Sequence, residues 1–273
     1  MSQLAQVAVL ERERDVRRWW SYWLFALSMA ILALAAHAAA YLTHEYAHSV
    51  TAWCLGWMAR PFGIDYGAAT LGNVLLLGDV SDNVDYAPIF ASGQGWAAAA
   101  IALAGPFLGN GAMYGVAAWA ARWRVVRRSR ALLGFCLAYA LMCAGNVWSY
   151  VPLRAIATHA DIALAARGLG LSVWVLLPFL LVPSLWLMWH FFRRLFPAAR
   201  APLTGGSQLR AAMLAAYVAY WYFCFFSGDG IGGDYGLVSQ VLCLVSRYLL
   251  FPLAVMELLR SDVVAAAGDL VGG

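Results

Sequence analysis

Lysine is missing altogether: all 18 basic residues are arginine. Charge of either sign is scarce, at 12% of residues against roughly 25% in a soluble domain. That scarcity excludes a soluble enzyme, a nucleic-acid binder and a disordered chain. The lack of Lys is the mark of a GC-rich genome, so the net charge of +4 is not read as affinity for polyanions. The five cysteines (Cys54, Cys136, Cys143, Cys224, Cys243) form no CxxC and lie in or beside apolar stretches, which points to buried free thiols. No internal repeat or low-complexity linker is visible, and 273 residues leave no room for a large soluble domain beside the spans.

What remains is hydrophobic. With 63% hydrophobic residues and a mean hydropathy of +0.70, the chain reads as an all-α polytopic membrane protein. A bilayer core of about 30 Å needs roughly 20 apolar residues per helix. Apolar runs near 19–43, 95–121, 131–152, 172–192, 210–227 and 237–258 predict six transmembrane helices. The whole chain, 1–273, reads as one membrane-embedded domain, with 1–18 as an N-terminal segment and 172–258 as accessory helices.

Arginine marks the cytoplasmic side of a bacterial-type inner membrane. Clusters precede the first span (Arg12, Arg14, Arg17, Arg18), separate the second from the third (Arg122–Arg130) and separate the fourth from the fifth (Arg193, Arg194, Arg200, Arg210). The other loops carry Asp65, Asp79, Asp82 and Asp85, or Asp229 and Asp234. The alternation predicts both termini in the cytoplasm, with Arg154 and Arg167 as exceptions. Ala36-His37-Ala38 resembles a signal-peptide cleavage site, but the apolar stretch continues to Trp57 without a turn signal and favours a retained helix.

From Trp19 to Leu55 there is neither Gly nor Pro. A helix of that length is too long for one untilted crossing, so either one helix protrudes or it breaks near residues 35–40. Residues 60–94 are rich in Gly and Asp-Asn punctuation, with β-prone pieces such as Asn73-Val74-Leu75-Leu76-Leu77. They predict a small β or re-entrant segment after the first helix.

The chemistry concentrates in His44-Glu45-Tyr46-Ala47-His48. Histidines at i and i+4 share one helix face and can reach one metal ion. Glu45 can then act as general base toward water activated by that ion. In an apolar helix such ionisable residues are costly and functional by default. A catalytic zinc takes three protein ligands and one open position. Asp161 is the best third ligand and His159 the other, because the loop after the third span lies on the same side as the outer end of the first. Against this, Asp161 also reads as an N-cap for a helix starting at Ile162. His37, two turns before His44, is about 10 Å along the axis and too far to share the ion. Arg247 and Glu257 are intramembrane charges without an assigned role.

Residues 36–165 resemble the site-2-protease-like intramembrane zinc metalloproteases. The HExxH lies in an apolar helix; Gly105-Pro106-Phe107-Leu108-Gly109-Asn110 is similar to that family's Gly-Pro-x-x-Asn element; Asn146, Pro152 and Asp161 follow in the order of its Asn-x-x-Pro…Asp element. Here Asn110 stands one residue further from Gly105-Pro106, and Asp161 stands nine after Pro152. The resemblance implies Zn²⁺ on His44, His48 and Asp161, Glu45 as base, and a membrane-protein substrate. Asn110 and Asn146 are then candidates for a hydrogen bond to the substrate backbone or oxyanion. The 60–94 segment would take the substrate by strand addition. The alternative of another class is a non-catalytic membrane protein, such as a metal or small-solute transporter, using His37, His44 and His48 as pathway groups.

Overall fold

The computed structural model describes residues 3–260, with side chains from Arg18 onward. The first helix, α1, runs unbroken over Gln3–Cys54, which decides between one helix and two. At 1.5 Å per residue it is roughly 80 Å long. It stops where the sequence first offers glycine. Gly56 takes a positive φ of 81°, its N–H bonds the Trp53 carbonyl at 3.0 Å, and the Trp57 N–H reaches back to Ala52 at 2.8 Å. That pair of bonds is the Schellman ending, and it satisfies carbonyls that would otherwise be orphaned.

Two short helices follow, α2 (Leu71–Leu76) and α3 (Tyr86–Ala91). Then come α4 (Gly95–Ala120), α5 (Arg124–Arg128), α6 (Arg130–Leu153), α7 (Asp161–Leu169), α8 (Val173–Thr204), α9 (Gln208–Ala219, continued by a wide turn Tyr220–Phe225) and α10 (Leu237–Arg260). Five of these helical stretches are long and apolar enough to cross a membrane: Arg18–Cys54, Gly95–Ala120, Arg130–Leu153, Val173–Thr204 and Leu237–Arg260. The expected sixth span, 210–227, is helical as α9 but does not join them. Gln208, Arg210 and a run of Tyr and Trp from Tyr217 to Tyr222 dilute its hydropathy.

Helix α6 is the axis of the bundle. Every side chain from 137 to 149 is buried, as befits a helix apolar all round. Ala33, Ala36 and Ala40 of α1 lie in the core cluster with α6, small residues that let two helices approach closely. The outward faces are also apolar: Trp19, Trp23, Phe179 and Val182 are all more than half exposed.

Among the described residues there is no β-strand, which corrects the expectation for 60–94. A single antiparallel bridge, Asp65 to Ser81, is all the pairing present. The β-prone Asn73–Leu77 piece is instead helix α2, ended by Leu77 at a φ of 56°. Local polar groups outbid the strand ladder. Thr70 caps α2 by accepting from the Asn73 N–H at 3.1 Å. The buried Asn73 side chain donates to the Tyr66 and Ala68 carbonyls, both at 2.8 Å, and accepts from the Asp79 N–H at 3.0 Å. Among the described residues the loop therefore presents no preformed strand for a substrate to join.

Candidate metal centre

The HExxH residues sit on α1 ten positions before its end, about 15 Å short of Cys54. Helix α4 runs back down beside them. A Cβ on Gly109 would lie 2.5 Å from the Thr43 carbonyl and 2.7 Å from the His44 Cα, and one on Gly105 would collide with the His48 Nε2. Only glycine leaves room for the two imidazoles against this helix.

Residues Ala104–Ala112 of α4 form a π-helical stretch, whose i to i+5 turn holds one more residue than an α turn. That turn re-phases the extra residue between Gly105-Pro106 and Asn110. Gly105 and Asn110, five apart, both face α1. Asn110 is fully buried and its amide is spent at both ends. Nδ2 donates to the Ala40 carbonyl at 3.0 Å, so Oδ1 must accept from the His44 Nδ1–H, at 2.7 Å. The oxyanion contact expected of Asn110 is therefore not what its hydrogen bonds serve; it orients His44. His48 is fixed in the same way, its Nδ1–H donating to the Ile101 carbonyl at 2.7 Å.

Each imidazole thus spends its Nδ1 proton on an acceptor and, when neutral, presents a bare Nε2 lone pair. The two Nε2 atoms are 3.1 Å apart. Asp161 completes the triangle, its Oδ2 lying 3.4 Å from the His44 Nε2 and 3.3 Å from the His48 Nε2. That oxygen is buried with no hydrogen-bond partner among the described residues. Burial alone would raise the Asp161 carboxyl, but the His48 and His44 rings outweigh it and hold it below the ordinary carboxylate range.

Asp161 arrives from the far side of the sequence because α7 docks on α4. Gly95 and Gly168 meet backbone to backbone, each occupying the space that a Cβ on the other would need. Asp161 is the first residue of α7 and makes no cap; the N-cap is Ala160, at φ 73° and ψ 177°. A non-glycine residue in that region is strained by about 1–3 kcal/mol, and such strain gathers at functional sites.

His159 is outside the cluster, stacked on Tyr235 with ring centroids 4.6 Å apart. Asn146 is buried on α6 and its side chain makes no hydrogen bond among the described residues. Glu45 is buried beside the triangle and makes no hydrogen bond or ion pair among the described residues, unlike a structural carboxylate. His37 is a core histidine, bonded through Nε2 to the Leu76 carbonyl at 2.9 Å and packed on Phe225. Arg247 donates to the Cys224 carbonyl at 2.8 Å near the end of α9, where a cation complements the helix dipole.

Sequence reading missed Tyr150, whose ring stacks on His44 at 4.9 Å. It also left Arg154 as a mere charge exception. Arg154 lies over the Tyr150 ring at 4.5 Å and the Tyr235 ring at 5.0 Å, and pairs with Asp229 at 3.4 Å. The carboxylate and the two aromatic rings partly offset the cost of placing an arginine here.

The chain matches no family model, no curated protein and no solved structure. The resemblance of residues 36–165 to site-2 proteases rests on their sequence motifs alone.

The donor set fits a metal ion. Four-coordinate zinc, with bonds of 2.0–2.2 Å, sets neighbouring ligand atoms about 3.3–3.6 Å apart. Two edges here, at 3.3 and 3.4 Å, fall in that range, and the third, at 3.1 Å, lies just below it. Three electron-pair donors this close repel one another unless a proton or a metal cation lies between them.

Proposed function

We propose that the chain is a zinc-dependent endopeptidase that cleaves a membrane-spanning or membrane-associated polypeptide. The observation that carries this reading is the buried triangle of His44 Nε2, His48 Nε2 and Asp161 Oδ2 beside an unspent Glu45. His44, His48 and Asp161 would hold the ion. When bound, zinc supplies Lewis acidity toward water and toward a peptide carbonyl. Glu45 takes the proton from the attacking water on its carboxylate and returns it to the leaving amide nitrogen. Asn110 and the Ile101 carbonyl keep both imidazoles in the tautomer that ligates. Asn146 is the remaining candidate for the oxyanion.

Burial of the site within a bundle of apolar helices favours a substrate that itself arrives through the membrane. The arginine pattern favours cytoplasmic termini in a bacterial inner membrane and a site toward the outer face. A transporter would be expected to show two similar halves or paired broken helices, and the sequence has no matching second half, which favours hydrolysis.

The test is Glu45→Gln in the purified, zinc-loaded protein. Zinc content should stay at one per chain, and turnover of a reconstituted membrane-helix substrate should fall about 10²–10⁴-fold, the range of a lost general base. Near wild-type turnover would remove Glu45 from this role.

A further inference from the structure

Beyond the three ligands, a column of flat groups leads away from the site: His44, Tyr150, Arg154, Tyr235 and His159. Each neighbour is in ring or cation contact with the next, at 4.9, 4.5, 5.0 and 4.6 Å. Arg154 stands in the middle with its side chain only 10% exposed. Its Nε donates to the Ser149 carbonyl at 3.4 Å, and its Nη1 donates to the Tyr235 hydroxyl at 3.0 Å and to Asp229 at 3.4 Å. Nη2, with two of the five guanidinium donors, has no hydrogen-bond partner among the described residues.

The electrostatics of this arginine are lopsided. Its one counter-ion, Asp229, is 70% exposed and held by a single long contact, and screening by water weakens such a pair. The guanidinium is meanwhile largely desolvated between two tyrosine rings, where a second anion is worth more than at the surface. An arginine that served only to tie the loop would be expected to bring its fork into register with its carboxylate. This one holds its outer nitrogen free, two short contacts from a metal ligand.

We infer that Arg154 selects substrate, taking through Nη2 the carboxylate of an Asp or Glu side chain close to the scissile bond; this rests on the endopeptidase reading. An extended chain advances about 3.3 Å per residue, so the contacts of 4.9 and 4.5 Å place the guanidinium about two or three residues from a bond held at His44. Tyr150 and Tyr235 position the guanidinium by covering it.

The experiment uses full-length protein in detergent and fluorescent membrane-helix peptides of about 25 residues. Each has a Leu/Ala background, a central Gly-Gly, and one Asp, or one Asn in its place, stepped through the three positions on either side. Binding is measured by anisotropy on zinc-loaded Glu45→Gln, which holds peptide without cutting it. In one register the Asp peptide should bind about ten-fold tighter than its Asn twin, the worth of a charge-assisted hydrogen bond. Adding Arg154→Gln should bring that ratio to one, leaving zinc content and Asn-peptide affinity unchanged. Arg154→Lys, which keeps the charge but not the fork, should retain part of the preference and serves if Arg154→Gln fails to fold.

A ratio of one in every register overturns the inference. So does a preference that survives Arg154→Gln, or an equal loss of both peptides, which marks a structural role. Cleavage by wild type is scored separately. If no peptide is cut while the Asp preference holds and depends on Arg154, the endopeptidase reading fails and the carboxylate site stands. If peptides are cut with no such preference, the reverse is true.

Discussion

The two ends of the helix bundle treat charge in opposite ways. At one end arginines are numerous and spent in the open. Arg18 donates to the Tyr22 hydroxyl at 3.1 Å, Arg210 lies 5.9 Å over the same ring, and Arg193 pairs with Glu257 at 3.5 Å. Both partners of that last pair are more than half exposed. Toward the other end the loop carboxylates, Asp65, Asp85 and Asp229 among them, are also exposed, but one cluster is buried and its contacts converge. Two imidazoles and a carboxylate turn bare electron pairs on one another, and Glu45 keeps its carboxylate to itself. Placing charge in the interior is costly, which makes a buried cluster of this kind a candidate for chemistry. The first set of charges is exposed to solvent, and the second is the cluster to which we assign the proposed reaction.

The largest expected effect breaks the buried end by a single methyl. Gly105→Ala puts a Cβ onto the His48 Nε2, so bound zinc should be lost, more than a hundred-fold in affinity. Gly115→Ala, on the same helix but facing open space, should leave zinc unchanged. Equal zinc contents in the two variants would contradict the packing described. Next is Asn110→Ala, which frees the His44 ring to turn. Removal of such an orienting partner costs about 10–100-fold in metal affinity, measurable by competition with a chromophoric chelator. The smallest effect belongs to the exposed end. Glu257→Gln should change unfolding free energy by less than about 1 kcal/mol and leave zinc alone, because surface ion pairs contribute little. A larger shift in a denaturation series would place that pair among the structural supports.

The same contrast explains what the sequence disclosed. His44, Glu45 and His48 were legible because helical periodicity is local and their polarity is out of place in an apolar run. Asp161 was legible through its polarity beside the end of a span, and its choice over His159 needed the fold, since the two stand on one short stretch of chain. The role of Asn110 was not legible. It depends on the wide turn at Ala104–Ala112, a backbone phase that no residue type announces. The meeting of Gly95 with Gly168, which carries Asp161 to the histidines, joins positions far apart in the chain. For residues 60–94 glycine content pointed to hairpins, while one capping threonine and one asparagine with three backbone bonds made a helix and a knot. The 210–227 stretch stands out less than the other five because Tyr and Trp count as apolar in composition but less so in hydropathy.

The central claim is that His44, His48 and Asp161 together hold one zinc ion. Its most direct test is zinc per chain, by mass spectrometry of the purified metal-equilibrated protein, for wild type, Asp161→Ala and His159→Ala. The account predicts one zinc in wild type, nearly none in Asp161→Ala, and close to one in His159→Ala, since His159 is stacked on Tyr235 outside the cluster. Zinc retained in Asp161→Ala, or absent from wild type, would contradict it.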